Sequence, residues 1–479
     1  MAAACVVGLL LAALLGILMQ DVPQILIPAG FCLLIAALVL VRRTASHRIG
    51  TMKTLCVLFF SLAAVHIFIG FLLAGLTTSH TSIRSNADVY FANALLINSV
   101  GLLAAAVGFS WKLNGQSTSS ERAFPVLVDS NSLENLFYLF LLGGSAIMFT
   151  IYWRLGFLDY LTVPAKWPFL RYITSDLVGG SAADEWLANR AMELLTVALP
   201  FLVFRVAKRP RILNIVLIVL GFVALLLPLR RANLLGVIFA SLILIGIGRH
   251  DVYRLTRRWI LTGISLYVFS QCLFLAGVLA RDLTPEAVLA VSSTALPEVR
   301  DLAWTLNRLD GEKLGGTTFA QALIPLPSIA SDWSAKHSLR AISTRLIGVD
   351  QTGQSGGLRL TLMGEGFINF GYLGAIAVSF LWGCGVAWCE QRLLVIGRTQ
   401  SEFTNYVSVM CFVWFCFLIY LAGTQAAAFV KVGAFLVLGA GWLCKYRPAV
   451  PSSNGMHNRE AGLRGSALSD SKALGVEVA

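Results

Sequence analysis

Charge is what this sequence has least of. Only 13% of its 479 residues are Asp, Glu, Lys or Arg, where an ordinary soluble domain carries roughly a quarter. With 57% hydrophobic residues and a mean hydropathy of +0.76, that scarcity argues against the set of soluble domains that length alone suggests. It points to a polytopic membrane protein built as one helical bundle, because many segments approach the roughly 20 apolar residues that cross a bilayer. Paired cysteine motifs are missing as well. The nine cysteines lie in or beside apolar runs, without CxxC spacing or a Cys/His pairing, which argues against a disulfide framework or a metal cluster. The first apolar run, Ala2 to Met19, lacks a basic start and an A-x-A cleavage site and is expected to stay as a helix.

Twelve apolar spans can be marked: 2–19, 24–41, 54–76, 89–111, 134–153, 187–207, 212–228, 232–248, 259–280, 366–386, 404–422 and 424–443. Helices are expected, since open strands would leave backbone polar groups unpaired in lipid. With a cytoplasmic N-terminus, the short connections carrying Arg42, Arg43, Arg48 and Lys53, then Lys112 and Arg122, then Arg205, Lys208, Arg209 and Arg211 fall on the cytoplasmic side. So do those with Arg249, Arg254, Arg257 and Arg258, and with Arg392 and Arg398. That is the positive-inside pattern. The net charge of +12 is then a topological signal, and no nucleic-acid partner is expected. The chain divides into a bundle over 1–444, with outer segments 154–186 and 281–365, and a polar tail over 445–479 expected to be disordered and cytoplasmic.

One short connection breaks the charge rule. In "LLPLRRANLLGV" (Leu226 to Val237), Arg230 and Arg231 fall on the outer side. They can snorkel to lipid phosphates or form an anion site, as charges held near a membrane often do. The segment 154–186 mixes Trp167, Phe169 and Tyr172 with Lys166 and Arg171, a composition suited to lying along an interface. In "ALPEVRDLAWTLNRLD", Leu296, Val299, Leu302, Ala303, Leu306 and Leu309 recur at helical spacing. They predict an amphipathic helix with Arg300 and Asp301 off its apolar seam. Further on come Lys336, His337, Arg340 and Arg345, the first three sharing one turn if helical, and then Arg359. Arginine forks suit phosphate and can hold a diphosphate without a metal ion. The bland alternative pairs these cations with Asp301, Glu312, Asp332 and Asp350. Arg190 and Glu193, three apart, read as an intrahelical pair.

The segment "GGLRLTLMGEGFINFGYLGAI" (Gly356 to Ile376) places Gly364, Glu365, Phe367, Ile368, Asn369, Phe370, Gly371 and Gly374 at the start of the tenth span. It resembles the close of the long outer loop in Wzy-type O-antigen and polysaccharide repeat-unit polymerases. Arg230 with Arg231, Arg300, and Gly315, Gly316, Ile324 and Pro325 are similar to further features of that family. The pattern departs at Leu326, where members often have arginine, and at His337 after Lys336, where they often have proline. The resemblance implies an all-α, GT-C-like fold of about twelve transmembrane helices in the bacterial inner membrane, with both termini cytoplasmic. It implies a metal-independent inverting glycosyltransferase without cofactor, which moves a glycan from undecaprenyl diphosphate onto another lipid-linked repeat unit, and it leaves room for a chain-length-regulating protein partner.

On that resemblance Arg230, Arg231, Arg300, Arg340 and Arg345 stabilise the leaving diphosphate, with Lys336, Arg359 and Asn369 as further substrate-binding residues. Glu365 or His337 serves as the base for the acceptor hydroxyl. Glu365 is alternatively a helix-start carboxylate favoured by the macrodipole. Two rival functions remain: an O-antigen ligase using the same donor, and an anion transporter or flippase. Transporters favour internal repeats and broken mid-membrane helices. The sequence offers no clear repeat, and its charges crowd the outer face instead of the span centres, which weighs against transport.

Overall fold

A computed structural model describes residues 22–49, 54–76, 87–115, 130–157, 179–228, 231–248, 258, 298–309, 311–323, 337, 342, 360–395, 402–422 and 425–444. The expected spans 2–19 and 259–280, most of the segment 154–186 and the tail 445–479 lie outside the described residues. All regular structure among the described residues is helical. Among these residues six helices are long and apolar enough to cross a membrane, and three more are apolar but shorter. The described residues accordingly form an all-helical, multi-pass membrane protein.

In chain order the elements are α1 (Pro23–Ile49), α2 (Leu55–Leu76), α3 (Ala87–Asn114), α4 (Ser130–Arg154), α5 (Ala182–Lys208), α6 (Ile212–Leu226) and α7 (Arg231–Gly248). Then come α8 (Glu298–Leu309), α9 (Thr317–Leu323), α10 (Leu362–Val395), α11 (Glu402–Phe412), a π turn over Val413–Leu418, α12 (Ile419–Ala422) and α13 (Gln425–Leu443). Proline opens α1, where its missing N–H costs nothing. A capping box opens α5, with Ser181 and Asp184 satisfying each other's backbone N–H groups.

The centre of the bundle is α3, buried almost throughout. Helices in lipid gain little from hydrophobicity when they pair, so close backbone approach decides which faces meet. Small residues on α3 supply it: Gly108 lies against the Phe380 carbonyl of α10, and Gly383 of α10 lies against the Ala105 carbonyl. On the opposite side α1 docks through Gly30 on Leu95, with Thr44 and Ser110 hydroxyls 2.7 Å apart. A second lobe joins α4 and α5 through Phe137, Phe201 and Tyr406, whose rings meet edge to face or tilted at 5.2 to 5.5 Å. Its ends are tied by ions: Arg205 bridges Glu134 of α4 and Glu402 of α11, and Lys208 joins Glu402 at 2.8 Å. By contrast α6 leaves Ile212, Leu213, Ile215, Val216 and Val219 exposed, a face suited to lipid. Glu390 is also explained by the fold. Its carboxylate accepts the Cys56 N–H at 3.0 Å, capping the start of α2 from another helix.

Candidate functional site

The segment carrying the Gly-Glu and Asn-Phe-Gly residues does not continue straight into a span. Within α10 the backbone breaks at Gly371, with φ 67° and ψ −155°, a region that essentially only glycine occupies. The chain reverses there. Gly366, before the break, lies backbone to backbone against Gly374, after it. Met363 of the first arm and Ser379 of the second both pack on Gly101, near the middle of α3. The first arm, 362–370, therefore starts at mid-depth beside α3 and runs toward the Ala87 end, where Ile368 and Ala375 share a cluster with Phe91 and Ala94. The expected uninterrupted tenth span is in fact a re-entrant half-helix followed by a long one. Apolar residues continue through the reversal, so hydropathy gave no warning of it.

Irregular backbone inside a membrane protein must find internal partners, and each end of this arm does. At its start the Thr361 hydroxyl donates to Asn98 Oδ1 of α3 at 2.6 Å and accepts the Gly364 N–H at 3.1 Å, a side-chain cap. At its far end the Ile368 and Asn369 carbonyls accept the N–H groups of Leu314 and Gly315. Asn369, itself buried, completes the clamp. Its Oδ1 accepts the Gly316 N–H at 3.0 Å, and its amide donates to Thr318 Oγ1 and to the Glu365 carbonyl, both at 2.8 Å. Gly315 and Gly316 both have positive φ. A side chain on Gly316 would also strike the Phe370 ring. The glycines and the asparagine of the motif thus have a structural purpose.

The candidate site residues fall as follows. Glu365 lies on the short arm, fully buried, with 0% of its surface exposed. Any role as a base requires an approach from within the bundle. Arg300 lies on α8, where two of its N–H groups bind Asp301 Oδ1 at 3.0 and 3.1 Å, so the pairing with Asp301 is present for this residue. His337 is helical and half-buried. Arg231 opens α7, and its side chain lies outside what is described. Arg230, Lys336, Arg340, Arg345 and Arg359 lie outside the described residues. Asn369 is bonded to the Glu365 carbonyl, and α8 packs on the arm through Leu302 against Gly364, with Arg300 two residues away on another side of that helix. Arg190 and Glu193 form the expected i,i+3 pair at 2.7 Å.

The expected amphipathic helix is present as α8, with Val299, Leu302, Ala303 and Leu309 buried. It reaches deeper than a cover over the outer end. Its first residue, Glu298, meets His66 near the middle of α2 at 2.9 Å. The reading that charged groups avoid the centres of the spans is corrected by this pair. His66 was legible as a lone titratable residue in an apolar run; its partner was not.

Lys313, also missed, sits on the turn between α8 and α9 with its ammonium 4.1 Å from the centre of the Phe367 ring, a cation–π geometry. Partial desolvation of its ammonium lowers its pKa, although the residue as a whole is exposed. It stands near the C-terminal end of the first arm, beside Gly371, where a cation is favoured by the helix dipole. No group of three or more His, Cys, Asp or Glu side chains placed to hold a metal ion occurs among the described residues. In comparisons with family models, curated proteins and solved structures, none matches the chain.

Proposed function

We propose that the chain polymerises undecaprenyl-diphosphate-linked repeat units into a surface polysaccharide, by inverting glycosyl transfer at the outer face of a bacterial inner membrane. One observation carries the reading. Gly364, Glu365, Asn369, Gly371 and Gly374, the residues on which the resemblance rests, come together in one re-entrant element with a buried carboxylate. A carboxylate held away from water is suited to taking a proton from an acceptor hydroxyl. Arg300, with Arg230, Arg231, Arg340, Arg345, Lys336 and Arg359, supplies cations for the leaving diphosphate, and His337 is the alternative base. The proposal includes twelve spans, cytoplasmic termini and no metal or cofactor. The O-antigen ligase shares this chemistry and differs in its acceptor.

A second reading draws on the broken helix itself. Half-helices that end near the midplane are how transporters expose helix termini to substrates, and the arm 362–370 begins beside Asn98 near the middle of α3. One experiment separates the polymerase from the other two. The gene is deleted in its host and restored as wild type, Arg300→Ala or Glu365→Gln, and surface polysaccharide is run on a gel. A polymerase predicts that deletion and both variants, at normal protein levels, leave single attached repeat units. Loss of all attached glycan on deletion, single units included, would favour the ligase or the flippase and overturn the proposal.

A further inference from the structure

Three titratable side chains from three distant parts of the chain meet inside the bundle. His66 of α2 places Nε2 2.9 Å from Glu298 Oε2 and Nδ1 3.1 Å from the Tyr420 hydroxyl. The Tyr420 hydroxyl also lies 3.4 Å from the Ala63 carbonyl, as its donor. All three are shielded: Tyr420 is 3% exposed, and the His66 and Glu298 side chains 12% and 7%. Burying such polar groups costs hydration that their hydrogen bonds return only in small excess, so tight packing alone does not account for these residues.

We propose that His66, Glu298 and Tyr420 form a proton-binding site that gains or loses one proton without moving a heavy atom. The donor and acceptor inventory supports this. With the imidazole charged, Nε2–H donates to Glu298, Nδ1–H donates to the Tyr420 oxygen, and the tyrosine hydrogen turns to the Ala63 carbonyl. With the imidazole neutral, Nε2–H still donates to Glu298, and the tyrosine hydrogen turns back to Nδ1. Both ring nitrogens, Glu298 Oε2 and the Tyr420 oxygen keep a partner in both states, and only one O–H rotates.

The surroundings hold the heavy atoms still. The Tyr420 ring stacks on Trp382 at 5.6 Å and meets Phe59 at 5.7 Å. Trp382 is anchored by its indole N–H on the Phe415 carbonyl at 2.7 Å. That carbonyl belongs to the π turn Val413–Leu418, a distortion frequent at functional sites. Among the described residues, no other charged side chain bonds to these three. Charged residues of α1 stand at its far end, from Arg42 onward, and α3 has none between Asp88 and Lys112. Of the α10 groups, Glu390 binds Cys56, roughly 15 Å along α2 from His66 by helical rise. Glu365 and Tyr372 of that helix form no hydrogen bond or ion pair with His66. On α8, Asp301 is occupied by Arg300.

The site stands independently of the polymerase reading. Its test uses the full chain, ¹⁵N-labelled at histidine, in lipid nanodiscs, followed by NMR between about pH 5 and pH 8, where imidazole chemistry is accessible. His66→Gln identifies the His66 signals. The expected result is a shift, as pH falls, from one protonated ring nitrogen, Nε2, to two. At the pH where wild type is half converted, Glu298→Gln reduces the two-proton form at least tenfold. Tyr420→Phe, which keeps the ring packing, perturbs mainly the Nδ1 signal and provides the assignment if His66→Gln does not accumulate. A His66 that stays in one state throughout, or that converts identically in Glu298→Gln, would overturn the site.

Discussion

Asn369→Ala tests the re-entrant arm most directly. The side chain makes three hydrogen bonds, to the Gly316 N–H, Thr318 Oγ1 and the Glu365 carbonyl. Their losses differ in weight. The Glu365 carbonyl is a helical acceptor that loses an additional bond, and the Thr318 hydroxyl can turn elsewhere. The Gly316 N–H is left without its acceptor, in a part-buried turn, and an unmade bond of that kind costs about 1–3 kcal/mol. With the small void left by the amide, the expected destabilisation is about 2–3 kcal/mol. Asn369→Asp is a sharper probe. It keeps an acceptor for Gly316 but turns the amide donor into an acceptor facing the Glu365 carbonyl, so it should cost at least as much as alanine. Reversible unfolding in mixed micelles measures both. If alanine changes stability by less than about 0.5 kcal/mol, the scale of an ordinary surface substitution, or if aspartate is milder than alanine, Asn369 does not clamp this turn.

Gly371→Ala has room for its methyl group, with Lys313 Cε the nearest atom at 3.8 Å. Only backbone strain should act, costing about 1–3 kcal/mol in the same unfolding measurement. Gly383→Val drives a branched side chain into the Ala105 carbonyl on buried α3. It should abolish accumulation of folded protein, as read by size-exclusion chromatography in detergent, whereas Gly143→Ala, with nothing near, should behave as wild type. Lys313 has its pKa lowered by partial desolvation. The unfolded chain therefore holds more protons than the folded one just below the usual lysine value, and stability rises with pH there. Lys313→Met lacks that slope, so in unfolding measured from neutral to alkaline pH the wild type should gain stability relative to the variant. An unchanged difference would contradict the partial desolvation of this ammonium.

Local composition by itself determined which stretches are helical and apolar. Of the twelve expected spans, 2–19 and 259–280 lie outside the described residues, and helices lie on the others. The spacing of Val299, Leu302, Ala303 and Leu309 likewise revealed the buried face of α8, because a helix face is a local property of the chain. The motif residues were visible too, but not what each does. Gly371 sits in an apolar run that hydropathy passes over, and only the opposing contacts on Gly101 show that the chain reverses there. Thr361 and Asn98 are 263 residues apart, and His66 lies 232 residues from Glu298 and 354 from Tyr420. No periodicity connects such partners. Their meeting was decided by tertiary structure, where close-packed glycines set which helices touch and every polar group drawn into the bundle needs another to satisfy it.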